Sequence, residues 1–110
     1  MDSILTSIKK LLGITEDYEQ FDTDIIIHIN SAFSVLAQLG VGPVSGFSIE
    51  DSSAVWSDFV DDSRLEMIKS YIYFKVRLAF DPPTSSAAMQ AINEQISELT
   101  WRLNVAVDPG

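Results

Sequence analysis

Few side chains in this sequence have the type and spacing to do chemistry. His28 is the only histidine and there is no cysteine, so neither a thiolate metal site nor a paired-imidazole site can be built. It sits in an apolar-rich run beside no nucleophile signal, which makes it a boundary residue of a buried face rather than a ligand or general base. Lys75 falls in the middle of an apolar helical arc. A desolvated amine there would be reactive, but a stem snorkelling along an apolar rim, or a pairing with an acid, explains it with fewer assumptions. Asp58, Asp61 and Asp62 lack the alternating ligands and central glycine of a calcium loop. No glycine-rich phosphate cradle, HExxH, CxxC or nucleophile elbow occurs. The residues therefore predict no catalytic site, no metal and no cofactor, and attention passes to the elements that would carry contacts instead.

The chief of these is the segment Ser63 to Phe80. Ser63 and Glu66 have the spacing of a capping box, and Asp81-Pro82-Pro83 forms the stop. Over the rod between, about 27 Å long, Leu65, Met67, Ile68, Tyr71, Ile72, Phe74, Val76, Leu78 and Ala79 cover roughly 200° of circumference, about twice what a surface helix needs. Such a helix must be contacted from several sides. Lys69 and Arg77 lie on its remaining face.

Before it, Ser3 to Leu12 predicts an amphipathic helix with Ile4, Leu5, Ile8, Leu11 and Leu12 inward, ended at Gly13 with Ile14 folding back. Asp22 is the expected N-cap of a second helix, Thr23 to about Leu39, with Phe21 and Ile26 as a hydrophobic staple. Ile25, Ile26, Ile29, Ala32, Phe33, Leu36 and Ala37 form its buried face. Its other face holds Ile27, Asn30, Ser31, Ser34 and Gln38, and no charge follows Asp24. That face is either plain neutral surface or a subunit contact, since interface centres are depleted of charge.

Residues 41–62 are too long for a routine connection. Within them Gly46-Phe47-Ser48-Ile49 alternates like a brief strand, and Val55, Trp56 and Phe59 have the spacing of one helical turn. Trp56 is expected to pin a structured projecting loop, to close the core, or both. After the prolines, Thr84-Ser85-Ser86 offers caps for a last helix to about Asn104, with Met89, Ile92, Ile96, Leu99 and Leu103 as a narrow seam. Trp101 projects opposite the seam, either under a loop or as a contact residue. Residues 105–110, including Val105 and Val107, are expected as an extended apolar tail able to add to a partner. The expectation is one all-α domain over residues 1–110: a bundle of four main helices with a long structured loop between the second and third.

Sixteen acids against seven bases give a net charge of −9, which opposes sequence-independent gripping of nucleic acid. The N-terminus lacks a basic stretch, and the run Ile25 to Ile29 is broken by His28, so neither an export signal nor a membrane span is expected. Acids crowd residues 16–24 and 50–62, while Arg64, Lys69, Lys75 and Arg77 lie on the central segment. This segregation is either solvation and neutralisation within one molecule or a device by which acidic loops of one copy meet the basic helix of the next.

The strings IKKLLGI (8–14), FDTDIIIHIN (21–30), QLGVGP (38–43), GFSI (46–49), VWSDF (55–59), LEMIKSYIYFKVRLAFDPP (65–83) and ISELTWRLNV (96–105), in that order, resemble the small head-tail connector proteins of tailed bacteriophages and prophages. The resemblance implies an all-helical neck adaptor that assembles as a ring, typically dodecameric, between the portal and the stopper or tail-completion protein. DNA would pass through its channel without specific binding. It implies a place in the virion neck after assembly in the host cytoplasm, a structural rather than enzymatic role, and contacts made by residues 41–62 and 105–110. The interface candidates are Ile27, Ser31, Ser34, Gln38, Phe47, Trp56, Lys69, Arg77, Trp101, Val105 and Val107. The competing reading is an acidic protein-binding module, such as a nucleic-acid mimic or inhibitor.

Overall fold

A computed structural model describes residues 3–43, 46–60 and 63–107. The helices are α1 (Ile4–Leu11), α2 (Asp22–Gln38), α3 (Trp56–Phe59), α4 (Leu65–Phe80) and α5 (Ser86–Val107). Thus the four long helices are present, and the expected single turn at Trp56 is α3. Among the described residues, no helix is long and apolar enough to cross a membrane.

Local chemistry sets most of the helix ends. Ser3 caps α1, its Oγ accepting from Thr6 N at 3.2 Å. At the other end the Ile14 N–H donates to Lys9 O at 2.9 Å and the Gly13 N–H to Lys10 O at 3.1 Å, the double closure of a Schellman ending. It requires the left-handed φ of +83° at Gly13. The end of α2 repeats the arrangement, with Val41 N bonded to Leu36 O at 2.9 Å. Ser85 opens α5 by accepting from Ala88 N at 3.2 Å.

Four expected local features are corrected. Asp22 is the first residue of α2 rather than its cap, because its carboxylate turns to Lys9, 2.8 Å away. Lys9 is only 2% exposed and also donates to Glu16 O at 3.0 Å. A buried ammonium left without an anion would be costly. Ser63 makes no capping box: it lies with Arg64 in a turn, and α4 starts at Leu65, with Arg64 O accepting from Ile68 N at 3.0 Å. Residues 46–49 form no strand. The isolated bridge between Ser3 and Val55 is the only β pairing among the described residues. Finally, residues 105–107 continue α5 instead of leaving it. Each helical residue added gains a backbone hydrogen bond, which an extended tail would leave to water.

The fold is organised on α4, which packs against α1, α2 and α5. Ile68, Tyr71, Ile72 and Val76 are buried, Leu65, Met67, Phe74 and Leu78 are half-buried, and Ala79 is exposed. One hydrophobic cluster takes residues from all five helices. The inward stripes follow the expected spacing in the main. Leu11 and Ala37 are exceptions, both lying exposed. α2 runs antiparallel to α4, with Phe21 at the start of one edge-on to Phe80 at the end of the other, centroids 5.2 Å apart.

The connection between α2 and α4 folds inward. Val41, Ile49, Trp56, Phe59 and Val60 are buried, and Phe33, Phe47 and Phe59 form a cluster with centroids 4.6–5.2 Å apart. Gly42 makes room for it. At its φ of +94° a side chain is disfavoured, and a Cβ would collide with the Phe59 ring.

Two measurements check this packing. Gly42→Ala should lower the free energy of unfolding in urea by about 2–4 kcal/mol, backbone strain and overpacking together. Gly13→Ala, where a Cβ meets nothing within 4 Å, should lose only about 1–2 kcal/mol from the backbone. An equal loss at both would contradict the Phe59 contact. Burial of Tyr71 raises its phenol above the ordinary range, with a hydrogen bond to Thr100 pulling weakly the other way. Above about pH 10 the unfolded chain ionises first, so the stability tied to Tyr71 is whole below that pH and declines as pH rises further. Tyr71→Phe should remove this decline in urea titrations across the alkaline range.

Candidate interaction surfaces

The described residues contain no group of three or more histidines, cysteines or acids placed to hold a metal. Asp58 has a structural task, its Oδ2 accepting from Val55 N at 3.1 Å at the start of α3. Asp61 and Asp62 lie outside the described residues. What the fold displays instead is surface.

On α2, Ile27 is 56% exposed, and Ser31, Ser34 and Gln38 follow it outward at helical spacing. Asn30, assigned to that face from sequence, turns away from it. Its Nδ2 donates to Ile49 O at 2.9 Å and its Oδ1 accepts from Ile49 N at 2.8 Å. One amide thereby satisfies both backbone groups of a loop residue that has no strand partner. The alternation at residues 46–49 reads as a strand in sequence, but no ladder forms there, and the Asn30 side chain supplies the hydrogen bonds of Ile49 instead.

On α5, Leu99 and Leu103 are buried, while Trp101 is 66% exposed and Val105 is exposed one turn on. The side chain of Val107 lies outside the described residues. Ile27 and the pair Trp101 and Val105 thus sit on different helices, both packed against α4, and Leu11 of α1 is exposed as well.

The other candidates turn inward, toward α1 or back onto their own helix. Trp56 is 3% exposed, and its Nε1 donates to Ser7 Oγ at 3.2 Å. It belongs to the subunit's own core and is not displayed for a partner. Phe47 is half-buried within the phenylalanine cluster. Lys69 Nζ lies 5.6 Å from the centre of the Trp56 ring and 3.9 Å from Glu66. Arg77 donates to the Tyr73 hydroxyl and to Asp81 O, each at 3.2 Å. The Tyr73 bond is the main cause of a guanidinium pKa raised above its ordinary value.

Two surface features were not evident from spacing. A groove of about 770 Å³ between α1 and α4 is walled by exposed Leu11, Tyr73 and Phe74, with Lys10, Lys69, Glu16 and Glu66 among its polar groups. A smaller cleft of about 330 Å³ between α2 and α4 is lined by His28, Ser31, Ala32, Lys75, Leu78 and Ala79. The oddity of Lys75 in an apolar arc was the one sequence signal that pointed to the second.

The family comparison supports a structural role. The chain belongs to the phage connector protein family, whose family model matches residues 4–110. It is thus an all-helical structural protein of the phage head-tail connector, a component of the virion neck. Comparison with curated proteins and with solved structures gives no match.

Asn30→Ala should leave both Ile49 backbone groups without their partner and cost about 1–3 kcal/mol of stability. Hydrogen exchange should show the Ile49 amide losing protection ahead of the amides of α2. Unchanged exchange at Ile49 would show that the clamp does not hold the loop.

Proposed function

We propose that this subunit, acting as one domain over residues 1–110, assembles into a ring that joins the portal to the stopper or tail-completion protein of the virion neck. The observation that carries this reading is the separation of exposed apolar side chains. Ile27 on α2 and Trp101 with Val105 on α5 give the subunit two sticky places on different helices. A heterologous ring contact needs two unlike patches, one for each neighbour. The uncharged row after Asp24 on α2 suits such a contact, because the row itself carries no ion to bury.

The residues at 105–107, as part of α5, would extend a helix toward a ring neighbour or the portal rather than donate a strand. The acidic balance would discourage DNA from adhering during passage. An acidic mimic of nucleic acid is less well supported, since it would need a continuous charged face and no exposed Trp101 or Ile27. Assembly would take place in the host cytoplasm before the tail is joined.

Electron microscopy of the purified chain mixed with its portal should show an added annular density, and native mass should give its copy number. Ile27→Asp and Trp101→Ala should each weaken ring formation by roughly 30-fold or more, as hot-spot losses do. Monomer stability should change by no more than about 0.5 kcal/mol, as expected for surface positions. Rings that form equally well with both substitutions would defeat this assignment of the surfaces.

A further inference from the structure

The cleft between α2 and α4 is built from two matching helical steps. His28, Ser31 and Ala32 come from one helix and Lys75, Leu78 and Ala79 from the other. Ala32 is buried and Ala79 is small, so the space between the helices stays open. The polar groups facing the cleft are an ammonium, an imidazole and a hydroxyl, and no acid is among them. Lys75 has no hydrogen bond or ion pair among the described residues. The other bases of this region do have partners: Lys69 has Glu66 and the Trp56 ring, and Arg77 has Tyr73 and Asp81 O. In a chain where acids outnumber bases by 16 to 7, a half-buried lysine without an acid calls for a physical reason. Asp24, one turn from His28 on α2, is exposed and bonds to neither His28 nor Lys75.

Next to the cleft stands the uncharged outer row of α2, with Ile27 exposed one residue before His28 and with Ser31 shared between row and cleft. A partner covering that row also covers Lys75. Covering it without an anion would remove water from an ammonium and give nothing back, whereas a carboxylate brought by the partner would offset the loss and fix the register of docking. A second copy of this chain, with sixteen acids against seven bases, carries carboxylates in excess to bring one.

We propose that the cleft is the receiving site for a carboxylate side chain of a second copy of this chain, held by the Lys75 ammonium with His28 and Ser31 as flanking polar groups. This rests on the ring reading and specifies where one of its lateral contacts is keyed. The apolar contact of Ile27 supplies attraction, and the carboxylate in the cleft sets the alignment.

The test uses full-length chain at natural isotope abundance mixed with fully 15N-labelled chain, assembled on purified portal. A carbodiimide then joins amines directly to carboxylates they touch. Mass spectrometry should find Lys75 linked to an Asp or Glu peptide, with half of the linked species carrying mixed isotopes. Lys75→Gln should weaken assembly by roughly tenfold or more, while Lys75→Arg, which keeps the charge, should retain most of it. Thermal melting of both variants checks that the subunit itself is intact. If rings form but Lys75 is linked only within its own copy, only to the portal, or not at all, the cleft assignment is wrong and the ring reading stands. The cleft assignment fails in the same way if Lys75→Gln assembles as well as the parent chain. If the unmodified chain forms no ring on the portal, both are wrong.

Discussion

A helix that is apolar over more than half its circumference cannot rest on one neighbour, and α4 imposes this condition on everything else in the subunit. Ile68, Tyr71, Ile72 and Val76 are covered because α1, α2 and α5 each take a side of it. Burying such side chains is worth about 1.5–3 kcal/mol apiece relative to exposure, more than any surface ion pair here can return. α5 adds Leu99 and Leu103 to that core and leaves its opposite face, with Trp101, in solvent.

The second constraint follows from the first. α2 and α4 pack antiparallel, but the chain between them is far longer than a turn, and its backbone groups must be satisfied somewhere. The structure solves this with side chains: Asn30 holds Ile49, Asp58 opens α3, and the Trp56 indole reaches Ser7 of α1. A segment that by length alone invites description as a free arm is therefore pinned to the core at Val41, Ile49, Trp56, Phe59 and Val60, while residues 50–53 stay exposed. On the helix faces, Ile27, Trp101 and Val105 remain exposed.

Charge is used sparingly inside and freely outside. Lys9 is buried with Asp22 beside it and ties the end of α1 to the start of α2. That pair removes one acid from the segment at residues 16–24, while Glu16, Asp17, Glu19 and Asp24 remain exposed. A surface whose charge is mostly negative opposes adhesion to nucleic acid through long-range repulsion.

Periodicity and punctuation by themselves determined the four long helices, the turn at Trp56, the glycine ending of α1, the proline stop after Phe80, the outward placement of Ile27 and the position of Trp101 opposite the seam of α5, though not that no loop covers it. These depend on spacing along a single helix and on residues whose backbone preferences are local. Tertiary structure alone decided that Asp22 pairs with Lys9 instead of capping, that Asn30 leaves its row to hold Ile49, that the connection folds inward, and that Lys75 lies in a cleft beside His28. In each of these a polar side chain chooses among partners distant in sequence. The choice follows from which backbone groups and charges the packing of α1, α2 and α4 has already taken out of water, and that is not written in the spacing of any one segment.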